Sequence, residues 1–223
     1  EFGIEMPDYL TFFEQLRKGS LLWYSAYLKN GGRLDEDNTL QSLQRLEHWL
    51  PALAGQEKVC FDYTSKLIEL PDPNNPGGWS TKYREKLDRA ATEKMQHDKT
   101  VDKLKKTEEC SLRNRYYWEL SRSMYDLQYS APEILLALKD CDSSDPSARK
   151  AGVTRLKQAI SDFNSSWENL QKTYSTTRFI SFPPGYVPDR YFHLASQAED
   201  LTWMIQPEKL FFGMMDNWIK TLK

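Results

Sequence analysis

At 223 residues the chain is long enough to bury about 70% of the surface that its unfolded form exposes, so it needs no disulfide staples to fold. Its 30 Lys and Arg against 32 Asp and Glu leave a formal charge of −2, which argues against nucleic acid and against an anionic membrane surface as partners. Three cysteines, Cys60, Cys110 and Cys141, are odd in number and far apart, so they read as isolated thiols rather than as a disulfide framework or a metal site.

In chain order, the first helical pattern runs from Pro7 to Asn30, with Tyr9, Leu10, Phe13, Leu16, Leu21, Tyr24 and Leu28 as its expected buried stripe and Gly31-Gly32 as its stop. Trp23, Tyr24 and Tyr27 read as core aromatics. Asp35 suits the N-cap of a second helix with a leucine seam; Pro51 interrupts it, and a continuation is expected from Glu57 to Leu70. The run Pro71 to Ser80, PDPNNPGGWS, is a loop and the one place where the chain would subdivide.

From Thr81 to Asp140 the pattern is helical almost throughout, too long for one ordinary helix. Its middle interleaves acids and lysines around a thin seam of Met95, Val101 and Leu104, as a projecting or solvent-facing helix would. Tyr116, Tyr117, Leu120, Met124 and Leu127 read as core, and the Pro132 region as a kink or restart. Asp145-Pro146 then opens a helix, aspartate as N-cap and proline at the first helical position, with a seam of Val153, Leu156, Ile160, Phe163, Trp167 and Leu170. Pro207-Glu208 begins a last, unusually apolar helix through Ile219. No helical run approaches the roughly 20 apolar residues of a membrane span.

Chemistry is hard to find in this pattern. Phosphate-binding glycine loops are absent, His48, His97 and His193 stand alone in three segments without zinc-ligand spacing, and no GxSxG elbow occurs. A pair of carboxylates would suffice for glycoside hydrolysis, but acids are recognised as such a pair by geometry and not by number. No catalytic residue, metal ligand or cofactor is therefore assigned. The Asn164-Ser165-Ser166 glycosylation match falls inside a helical pattern.

The one strongly non-helical stretch is 177–204, where Pro183, Pro184 and Pro188 stiffen a segment dense in aromatics. Arg178, Asp189 and Trp203 read as a structural staple that fixes it to the bundle. As the functional alternative, Tyr186, Arg190, Tyr191 and His193, together with Trp79 of the earlier loop, are the candidate contacts to a glycan or a partner. Thr177-Arg178-Phe179, Pro184-Gly185-Tyr186, Asp189, His193-Leu194-Ala195 and Asp200-x-x-Trp203-Met204 resemble the helical region after the catalytic barrel in family 20 glycoside hydrolases, the β-N-acetylhexosaminidases, of gut Bacteroidetes. The similarity covers mainly residues 161–218. In that family the acetamido group of the sugar attacks, assisted by an Asp-Glu pair on the barrel, and this chain has no βα alternation to carry such a pair. The resemblance thus implies an accessory helical domain or a related stand-alone helical protein, periplasmic or secreted, rather than an active hexosaminidase.

The resulting expectation is an all-α bundle of six to eight helices with one long proline- and aromatic-rich loop, forming a single domain. It begins Glu1-Phe2-Gly3 without a signal-like run, which reads as a processed form or a fragment of a larger protein. Its expected role is non-catalytic packing on a catalytic domain, of the same or another chain, or in a homo-oligomer. The competing readings are a stand-alone glycan-binding or protein-interaction module and a small helical enzyme whose site the sequence does not display.

Overall fold

The computed structural model describes residues 6–29, 67–110, 115–175 and 205–222. Among these residues there are six helices and no sheet, so the chain is all-α. They are α1 (Met6–Ser25), α2 (Gly78–Lys82), α3 (Arg84–Cys110), α4 (Arg115–Cys141), α5 (Pro146–Ser175) and α6 (Gln206–Thr221). The Asp35 helix, the Pro51 break and the whole 177–204 stretch lie outside the described residues.

The fold is built around the antiparallel pair α4 and α5, with α3 and α1 laid against α4. The turn between α4 and α5 is tight because Asp145 caps α5. Its two carboxylate oxygens accept the backbone N–H of Ser147 and Ala148 at 3.1 Å each, and its carbonyl accepts that of Arg149 at 3.0 Å. The expected seam of α5 is the one observed: Leu156, Phe163, Trp167 and Leu170 are buried, and Val153 and Ile160 pack against the same core. Gly152 lets the two helices approach here, since a Cβ at this position would stand 2.7 Å from the backbone nitrogen of Cys141.

Three expected features are corrected. First, α1 ends at Ser25 rather than at Asn30, and Leu67 to Leu70 is not helical. Ile68 donates its N–H to the carbonyl of Tyr27 at 2.8 Å, and Leu28 pairs with Leu67 in an isolated antiparallel bridge. Pro71 disfavours helix at Leu70, and the bridge buries Leu28, Leu67 and Ile68 together. Second, α4 runs unbroken through Pro132, which sits buried in its interior. Burial of Ala131, Ile134, Leu135 and Leu138 around it supplies the packing that offsets the missing backbone donor. Third, apolar spacing misassigns several faces: Leu10, Leu21, Met95, Tyr117 and Met124 are exposed, while Phe12, Leu22, Trp118 and Tyr125 are buried instead. Trp23 and Tyr27 are core, as expected.

The last helix is fixed from two directions. Phe211 stacks on Tyr27 with centroids 5.0 Å apart, and Phe212 meets Phe163 edge-on at 4.8 Å. Trp218 donates its indole N–H to the carbonyl of Pro71 at 3.0 Å, which holds the start of the 71–77 turn against α6.

Candidate functional site

The charged side chains with the most partners lie where α3, α4 and α5 meet. Glu133 of α4 is their hub. Its Oε1 accepts from Lys94 Nζ of α3 and, at 2.7 Å, from the Tyr129 hydroxyl one turn earlier; its Oε2 accepts from Arg155 Nη2 of α5 at 3.2 Å. Arg155 Nη1 donates also to Asp140 at 2.6 Å, and Lys94 to the Tyr129 oxygen at 2.5 Å. Three helices are thereby joined by one continuous ladder of charge-assisted hydrogen bonds.

The electrostatics follow from that geometry. Burial resists ionisation of Glu133, but the Lys94 and Tyr129 hydrogen bonds and the neighbouring cations outweigh it and hold the carboxyl below its usual range. Tyr129 is pushed in the opposite direction, by burial first and then by the carboxylate of Glu133. The ladder therefore consists of an ionised carboxylate clamped between two cations and a phenol that keeps its proton. Glu133 so held is a poor proton acceptor.

Beside the ladder, His97 of α3 stacks its ring on Tyr129 at 3.5 Å between centroids and on Tyr125 at 4.7 Å. The imidazole is buried, and among the described residues neither ring nitrogen has a hydrogen-bond partner. Burial pushes the Tyr125 hydroxyl up to about 12. Gly19, Glu93, His97, Gln128 and Tyr129 line a small, half-open space of about 20 Å³. Burial raises the Glu93 carboxyl, and Gln128 donates to Ser20 of α1 at 2.8 Å. Such a space holds a water-sized group and not a sugar ring, since ligand pockets run to roughly 300 Å³ or more. A wider, open cleft of about 510 Å³ lies over Lys139, Asp140 and Arg155, where Asp140 is already paired.

Of the candidate contacts, only Trp79 is described. It is buried in α2, tilted against Tyr83 at 5.2 Å, and its indole N–H donates to the Glu69 carbonyl at 2.7 Å. Its ring is part of the core. The start of α2 is fixed in turn by the buried Asp142, whose backbone carbonyl accepts from Gly77 at 2.9 Å and whose carboxylate accepts from Ser80 N–H at 2.8 Å. Gly77 takes a left-handed φ of 81° there, which a side chain would strain. Tyr186, Arg190, Tyr191 and His193, and the staple residues Arg178, Asp189 and Trp203, lie outside the described residues, as do His48 and Cys60. Cys141 is buried among apolar neighbours, and its thiol is pushed up to about 12, which makes it unreactive.

Among the described residues, no group of three or more His, Cys, Asp or Glu side chains converges as a metal site, and no helix is long and apolar enough to cross a membrane. The ladder and the His97 cluster went unread in the sequence because their members are some thirty residues apart. The only local signal was the polar stripe Tyr125, Tyr129 and Glu133, spaced by four along an otherwise apolar helix. A scan of protein-family models, a search of curated proteins and a search of solved structures each gave no match.

Proposed function

We propose that the chain is a non-catalytic helical packing module, an accessory domain of a carbohydrate-active protein that docks on a catalytic domain or on a second copy of itself. The observation that carries the non-catalytic part is how the polar side chains are used. Glu133, Lys94, Arg155, Asp140 and Asp142 tie helices to one another, and the aromatic Trp79 is buried with its donor satisfied. These contacts give rigidity and leave little free to act on a substrate. The carbohydrate affiliation rests on the sequence resemblance over residues 161–218.

Outward from the core, α6 turns Leu210 and Met214 to solvent, one turn apart on the same side of the helix. This pair is the proposed docking contact. The purified chain is expected to give no turnover of an aryl N-acetylglucosaminide. In sedimentation velocity, Leu210→Glu combined with Met214→Glu is expected to weaken its association by about tenfold or more, equivalent to about 1.4 kcal/mol, with helicity and thermal midpoint kept. Hydrolysis of the glycoside would contradict the non-catalytic assignment, and association unchanged in the double variant would remove α6 as the contact face.

A further inference from the structure

We propose that His97 is a protonation-controlled clasp between α3 and α4, whose imidazolium form donates Nδ1–H to Asp98 and Nε2–H to Asp126. The two ring nitrogens each face one carboxylate at the same separation, 3.9 Å to Asp98 Oδ1 and 3.9 Å to Asp126 Oδ1. That is about 1 Å beyond a charge-assisted hydrogen bond. Among the described residues neither nitrogen has a hydrogen-bond partner, although the ring is buried. The acids, by contrast, are open to solvent: the Asp98 side chain is 57% exposed and that of Asp126 is 32% exposed.

Each carboxylate also divides its oxygens in a way that leaves one for the imidazole. Asp98 Oδ2 faces Lys94 at 3.6 Å, and Asp126 Oδ2 faces Arg122 at 3.3 Å. The Oδ1 atoms point to His97. Tyr129 donates its single phenolic proton either to Glu133 at 2.7 Å or to Asp98 Oδ1 at 3.0 Å, so keeping the shorter bond to Glu133 releases Asp98 for the clasp. The stacked Tyr125 and Tyr129 rings present π faces that favour a cation. Glu93 on α3 and Glu133 on α4 add negative charge around the ring; Lys94 and Arg122 oppose it. From α1 the half-open space is faced by Gly19 and Leu22, and Arg89 and then Lys18 act on the Glu93 carboxyl beside it.

A neutral imidazole has one N–H, so it can make one of the two bonds but not both. The clasp is therefore complete only in the doubly protonated ring. It is closed where the ring carries both protons and open where the ring is neutral.

The test uses the full chain, ¹⁵N-labelled, at pH 5.5 and pH 8. At pH 5.5 both His97 ring nitrogens should carry observable protons, with His97→Gln identifying the signals. Amide exchange in α3 residues 94–101, corrected for the intrinsic pH effect, should be at least about tenfold slower at pH 5.5 than at pH 8, as expected for two added charge-assisted bonds. The double variant Asp98→Asn, Asp126→Asn changes only partly exposed groups and should abolish that difference. A His97 ring that lacks one of its protons at pH 5.5 would overturn the proposal. So would an exchange difference that persists in the double Asn variant.

Discussion

Glu133→Gln removes the hub's charge while keeping its shape, and so separates the ion pairing from the packing. Lys94 and Arg155 would then face each other's charge without the carboxylate between them. Because Glu133 and its partners are only partly buried, the expected loss is about 1–3 kcal/mol in chemical denaturation at pH 7. The acid dependence has a definite sign. The folded Glu133 carboxyl lies below its ordinary value of 4.5, so the native state favours the ionised form. The stabilisation is present above that value and is lost as pH falls through the lower, folded one. The difference between wild type and Glu133→Gln should accordingly be largest near neutrality and shrink in acid, which denaturation at a series of pH values measures. At Trp79, replacement by Phe keeps most of the ring but loses the 2.7 Å bond to Glu69. A loss of about 1–3 kcal/mol is expected, because the acceptor is left with fewer partners and a small gap opens.

Between helices, the closest approach is the one at Gly152. Gly152→Ala would place a methyl group 2.7 Å from Cys141 N and 2.8 Å from the Asp140 carbonyl carbon. Both are backbone atoms, so α4 and α5 must move apart rather than a side chain swing away. A loss of about 1–3 kcal/mol is expected in thermal or urea unfolding, despite the better helix propensity of alanine; a neutral or stabilising result would show that the pair is less tightly seated. The sequence was most legible where local chemistry decides the outcome. Asp145-Pro146 announced α5, and its seam repeated cleanly because α5 packs one face on α4. Legibility failed where both sides of a helix carry apolar residues: spacing alone could not choose Phe12 over Leu10, or Trp118 over Tyr117. It failed also at Pro132, where tertiary packing carries a helix past a residue that would break it in isolation. The inner face of α3 was misread for a different reason, since it buries His97 and Thr100 in place of the expected Met95. His97 is accepted there by stacking on Tyr125 and Tyr129, and Thr100 by donating its hydroxyl to the Gln96 carbonyl at 2.8 Å.

Across the molecule, the all-α architecture followed from helical periodicity, but the ladder depends on pairing α3, α4 and α5 in space and could not be assembled from spacing. One ion-pair hub then links three helices. Such a frame suits the packing role proposed above. The polar side chains in it should behave as mutually dependent ties rather than as independent surface charges. A double-mutant cycle of Lys94→Met and Glu133→Gln, followed by denaturant unfolding at pH 7, measures this directly. Coupled ties predict two destabilising single variants and a coupling of about 1 kcal/mol or more. Two near-neutral variants whose effects add to within about 0.3 kcal/mol would contradict it, and would leave Lys94, Glu133 and Tyr129 free for a role other than packing.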